Sequence, residues 1–142
     1  MENMNSRRGK LLNEKKRLFD ELLEITKKQT LWIKKRNWTR LHNAINSKQD
    51  RIDKIDDLDE LIKKTASFRH SNEEEQEEEM VRDIEYIAQK IVEIEQSNIE
   101  EIRETMKTLK DELKEVQLKK RVSNTYKDQK NNNNGSYVDK YK

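Results

Sequence analysis

Residues 80–122, MVRDIEYIAQKIVEIEQSNIEEIRETMKTLKDELKEVQLKKRV, decide the fold. Met80, Ile84, Ile87, Ile91, Ile94, Asn98, Ile102, Met106, Leu109, Leu113 and Val116 recur at steps of three and four, the period of one long amphipathic helix. A second row, Val81, Ala88, Val92, Ile99 and Met106, runs beside the first. The apolar face is therefore wider than a two-stranded seam needs, and the helix should have more than one neighbour. Whether all of those neighbours belong to this chain is the functional question.

The rest of the chain supplies at least two of them. Leu11, Leu18, Leu22, Ile25, Gln29 and Trp32, widened by Leu12, Phe19, Leu23 and Ile33, predict a first helix over about residues 5–36, with Asn5 or Ser6 able to cap it. Lys34, Lys35 and Arg36 crowd its end, where cations complement the helix macrodipole. Asn37 can cap the helix that follows, and so short a turn makes the two antiparallel. The second helix, about 38–69, carries Trp38, Leu41, Ile45, Ile52, Ile55, Leu58, Leu61 and Ile62, with Lys48 breaking the row and offering its aliphatic stem. The third is expected over about 74–122, its start marked by the acidic run from Glu73 to Glu79, which suits the positive end of a helix dipole and reads otherwise as a solvated face.

Composition agrees with an all-α chain. There is no proline, only Gly9 and Gly135 as glycines, and 42% of the 142 residues are charged against 31% hydrophobic. Those proportions suit a thin, elongated bundle, an antiparallel hairpin plus one long third helix, better than a thick globular core. Residues 1–122 read as a single helical domain and 123–142, with the asparagine tract Asn131 to Asn134, as a flexible tail. The absence of cysteine and of any long apolar run leads us to expect a soluble cytoplasmic protein without direct membrane insertion.

The net charge of +2 conceals segregation. Residues 1–40 hold 12 Lys/Arg against 5 Asp/Glu, whereas residues 71–100 hold 2 against 11. Such segments attract when side by side, which favours internal pairing over a phosphate-binding surface and sets nucleic acid aside as a partner. Trp32 and Trp38 at the first turn are read as packing residues.

Catalytic chemistry finds little to work with. His42 and His70 lack a cysteine or a second histidine at ligand spacing, and Asp53, Asp56, Asp57 and Asp59 lack the central glycine of a calcium loop. No serine or threonine has the neighbours of a nucleophile, and isolated glycines make no phosphate cradle. The expectation is a non-enzyme without metal or cofactor.

Length points instead to binding. A third helix of about 45 residues spans about 65–70 Å, against about 45 Å for the first. In an up-down-up bundle its last turns, with Met106, Leu109, Leu113, Val116 and Leu118, either meet a partner or bend near Ser97 and Asn98 to fold back as a fourth helix.

The run Leu18-Phe19-Asp20-Glu21-Leu22-Leu23-Glu24-Ile25, leading into Trp38-Thr39-Arg40-Leu41 and Ile45-Asn46-Ser47-Lys48-Gln49-Asp50-Arg51-Ile52-Asp53-Lys54-Ile55-Asp56, resembles the first hairpin of the FlgN/FliT-type flagellar export chaperones. A break at Gln96-Ser97-Asn98-Ile99, with Tyr126 and the closing Gly135-Ser136-Tyr137-Val138-Asp139-Lys140, is similar to the end of the FlgN side of that group. The resemblance implies a cytoplasmic type III export chaperone that binds a secreted flagellar subunit, a hook-filament junction protein or the filament cap protein, prevents early assembly and delivers it to an export gate component. It puts client binding on Ile99, Ile102, Met106, Leu109, Leu113 and Val116, and makes Tyr126 the candidate for export-gate docking. The alternative is a generic coiled-coil scaffold in which the same row pairs with its own copy as a homodimer; a nucleic-acid-binding helical protein comes third.

Overall fold

A computed structural model describes residues 7–65 and 71–134 as three α-helices in the order expected: α1 (Arg7–Lys34), α2 (Trp38–Lys63) and α3 (Ser71–Asn134). Among the described residues there is no strand. The chain divides into two compact units, Met1–Glu101 and Ile102–Lys142, so the boundary falls inside α3 and not at residue 122.

The first unit is an up-down-up bundle, and side-chain pairs give its register. Arg8 bonds the carbonyl of Ile62, Lys15 pairs with Asp59 at 2.7 Å and Arg51 with Glu21 at 3.0 Å, a descending order that makes α1 and α2 antiparallel. Arg8 meets Glu77, Lys16 meets Asp83 at 3.5 Å and Thr30 meets Asn98, an ascending order that runs α3 along α1. Two of these pairs join the basic N-terminal segment to the acidic one, which is the use of segregated charge expected from the sequence.

The turn between α1 and α2 has a specific construction. Arg36 lies in the left-handed region at φ 54°, its amide bonds Ile33 O at 3.0 Å, and the Asn37 amide reaches back to Trp32 O at 2.8 Å. These bonds are the 5→2 and 6→1 closures of a Schellman motif, which satisfy the last carbonyls of α1. Helix α1 therefore stops at Lys34, two residues earlier than expected. Asn37 then caps α2, its side-chain oxygen accepting from Arg40 N at 3.1 Å. Helix α2 also stops short of residue 69, closing where Lys64 N and Thr65 N bond the carbonyls of Leu61 and Ile62 in i→i−3 fashion.

Apolar spacing places the core. Leu18 and Leu22 from α1, Ile55 from α2, and Ile87 and Ile91 from α3 form one buried cluster, with Phe19, Leu23, Ile52 and Leu58 packed against it. Leu12, Ile62 and Met80 form a second. In α2 the buried positions Leu41, Lys48, Ile55 and Ile62 recur every seventh residue, the repeat of a coiled-coil seam.

Two expectations for α3 need correction. The helix runs unbroken through Gln96, Ser97, Asn98 and Ile99, so there is neither a break nor a fourth helix there. Asn98 is 6% exposed and spends its amide sideways, its Oδ1 accepting from Thr30 Oγ1 at 2.6 Å, so it does not compete for its own backbone. The helix also continues past residue 122 to Asn134, so residues 123–134 are helical and not a flexible tail. No glycine or proline lies within α3 before Gly135, so nothing forces an earlier end. The remainder of the expected tail, residues 135–142, lies outside the described residues, as do Asn5, Ser6 and His70.

Candidate protein-docking face

The expected binding residues fall in both units. Ile99 belongs to the first, where it is 48% exposed on the second row of α3, alongside Val81 and Val92. Ile102, Met106, Leu109, Leu113 and Val116 all belong to the second.

Within that unit the five residues share one face of α3. At 3.6 residues per turn the steps 4, 3, 4 and 3 keep them within a sector of about 80°. Ile102 is half-buried, while Met106 (64%), Leu109 (40%), Leu113 (56%) and Val116 (60%) are exposed. An isolated exposed leucine needs no explanation, whereas these four consecutive members of one row are exposed together as a continuous apolar strip.

Tyr126 stands elsewhere. It is 66% exposed and lies about 80° around the helix from Val116, so it is not a continuation of the row. Instead Leu118 (59%), Val122 (60%) and Tyr126 follow at steps of four and make a second exposed strip. The strip was hidden in the sequence because a helix ending at residue 122 leaves Tyr126 unplaced. Tyr137 and Tyr141 lie outside the described residues.

The first unit contains polar sites that the apolar rows did not announce. Lys48 is 7% exposed, and its Nζ donates to Glu95 Oε2 at 2.7 Å and to Gln29 Oε1 at 3.2 Å. Its ammonium is thus as much a part of the interior as its stem. Glu77, read as part of a solvated acidic run, is 3% exposed and accepts from Arg8 Nε at 2.8 Å. Arg8 Nη1 also donates to Ile62 O and Thr65 Oγ1, which ties the close of α2 to the start of α3. Each is a local violation of the heptad pattern at a helix–helix contact, a signal that could have flagged Lys48 and Glu77.

Other candidates have structural occupations. Arg40 and Lys35 lie over the Trp32 ring at 4.8 and 5.9 Å, consistent with packing at the first turn. His42 sits 3.3 Å from Asn46 on the surface of α2. Among the described residues no group of His, Cys, Asp or Glu is arranged to hold a metal ion, and no helix is long and apolar enough to cross a membrane. Compared with known families, with characterised proteins and with solved structures, the chain matches none.

Proposed function

We propose that this chain is a helical chaperone of the flagellar type III export kind, which captures a secreted subunit on the exposed row of α3 and holds it unassembled in the cytoplasm until an export gate component receives it. The observation that carries the binding step is the exposure of Met106, Leu109, Leu113 and Val116 along one face of a continuous helix. Covering each side chain would contribute about 1 kcal/mol or more, enough together to offset much of the ordering of a client helix. Met106 is the adaptable member, because an unbranched thioether conforms to different partners. The flagellar assignment itself leans on the resemblance of residues 18–25, 38–41 and 45–56 to the chaperone hairpin. Tyr126, exposed and off the row, would remain free for a gate contact while the row is occupied.

The experiment is a pull-down and calorimetric titration against hook-filament junction proteins and filament cap protein, with Leu109→Asp and Leu113→Asp as probes. Loss of client binding in both variants is expected; unchanged binding would remove the row from the function.

A coiled-coil scaffold is the second reading, because the same row has heptad spacing. Sedimentation separates the two: a tight homodimer with no client affinity favours the scaffold.

A further inference from the structure

The charges of residues 102–122 are sorted around the helix. At about 100° per residue, Arg103, Lys107, Lys110, Lys114 and Arg121 fall in one sector of about 60° beside the apolar row. Glu104, Asp111, Glu112 and Glu115 fall in another, beyond the row's opposite edge. Lys119 interrupts the acidic sector and is paired with Glu115 at 3.7 Å, and Lys120 lies in line with the apolar row one turn past Val116. Among the described residues none of the five cations in the basic sector is in an ion pair, and all are exposed. The segregation is therefore available to a partner.

Building on the docking role assigned to this row, we propose that its occupant is an amphipathic helix of another protein carrying carboxylates along the flank that meets Arg103, Lys107, Lys110 and Lys114, and not a second copy of this chain. Heptad positions decide against the copy. Met106 and Leu113 take a positions, and Ile102, Leu109 and Val116 take d positions. A parallel copy would then face Thr105 with Lys110, Glu112 with Gln117 and Lys119 with Asn124, which gives no opposite-charge pair. An antiparallel copy that keeps Leu109 opposite Leu113 and Met106 opposite Val116 sets Lys110 against Lys110 and Glu112 against Glu112. Sliding the copies until Glu112 meets Lys119 places Leu109 opposite Lys120 and Met106 opposite Ser123, and keeps only Leu113 opposite Val116 as an apolar layer. A helix with an acidic flank meets none of these conflicts, because like charges are removed and cations gain partners. An anionic membrane would suit the basic flank but would also be pressed against Glu112 and Glu115.

The test uses the full chain and three synthetic helices of about 21 residues that share one leucine row and carry Glu, Gln or Lys on the flanks. Fluorescence anisotropy at low salt should show the Glu-flanked helix binding about tenfold tighter than the Gln-flanked one and the Lys-flanked helix weakest, with the spread collapsing in about 0.5 M salt. Lys110→Glu combined with Lys114→Glu, at exposed positions that leave the helix intact, should invert that order, and Leu109→Asp should abolish binding of all three. Equal binding of the three helices, still lost in Leu109→Asp, overturns the charge assignment and leaves the docking face standing. No binding of any helix overturns both. A dimer in sedimentation that Leu109→Asp disperses overturns the proposal in favour of a second copy. Binding to phosphatidylglycerol vesicles but not to the helices overturns it in favour of a membrane.

Discussion

Lys48 Nζ lies 2.7 Å from Glu95 Oε2 and 3.2 Å from Gln29 Oε1, so one buried cation joins all three helices of the first unit. The two ends of the ion pair differ in environment: the Lys48 side chain is 9% exposed and that of Glu95 is 45% exposed. Removing the carboxylate strands a buried charge, whereas removing the cation strands a carboxylate that water can reach. Lys48→Met should therefore change stability by less than about 1 kcal/mol, while Glu95→Ala should cost about 1 to 2 kcal/mol. Urea denaturation of the two variants measures the asymmetry.

A second polar layer lies one turn further along α3. Asn98 Oδ1 accepts from Thr30 Oγ1, and Thr26, fully buried, back-bonds to Leu22 O at 2.7 Å. Asn98→Ala should cost about 1 to 2 kcal/mol, because it leaves the Thr30 hydroxyl without its cross-helix acceptor. A double-mutant cycle with Thr30→Val should return a coupling of about 1 kcal/mol; a coupling near zero would mean that the pair does not act together.

Arg36 is the only non-glycine residue with positive φ among the described residues. It occupies the position at a helix C-terminus where glycine avoids the clash of a Cβ atom. Arg36→Gly should raise stability by about 0.5 to 1 kcal/mol in thermal or urea unfolding, and Arg36→Val should lower it.

Arg8 makes three contacts across two helices, with Glu77, Ile62 O and Thr65 Oγ1. Lysine has no planar fork and cannot reproduce them. Arg8→Lys should speed hydrogen exchange at the amides of residues 61–65 with little effect at Leu18 and Leu22, and Arg8→Ala should enlarge the effect.

The pH dependence at the surface of α1 has a definite sign. The Arg17 guanidinium hydrogen-bonds Glu14 and holds its carboxyl below the ordinary carboxylate value, outweighing the opposing effect of burial. A folded pKa below the unfolded one contributes stability that is present above the unfolded value and lost as pH falls through the folded value. Glu14→Gln should thus lower the neutral plateau slightly and flatten the acid limb, the two profiles converging at low pH. The effect should be small, because both partners are exposed to solvent.

Leu109→Asp and Leu113→Asp separate binding from folding. Both leucines are exposed, so the melting temperature of either variant should stay within about 2 °C of the parent. A larger fall would show that the row supports the fold.

Much of the architecture is written in local pattern. The three-and-four spacing of residues 80–94 predicts the buried face of α3, since Met80, Ile84, Ile87 and Ile91 are all buried. Asn37 is legible as a cap because its short amide can reach the free amides of a following helix. The exposed row from Met106 to Val116 is legible as apolar, but nothing in its periodicity distinguishes it from the buried row that precedes it.

The sequence by itself determined the kind of elements, because helix propensity and the 3.6-residue period are local properties, but it left open whether the third helix bends into a fourth. It also determined the charge sectors of residues 102–122, which follow from spacing alone. Only the tertiary structure decided what each polar interruption is for. Lys48, Glu77 and Asn98 are buried because Glu95, Arg8 and Thr30, distant in the chain, arrive to satisfy them. Tertiary packing likewise decided which members of the apolar row of α3 are covered and which are not, with Met80, Ile84, Ile87 and Ile91 buried and Met106, Leu109, Leu113 and Val116 exposed, since burial depends on neighbours that periodicity does not specify.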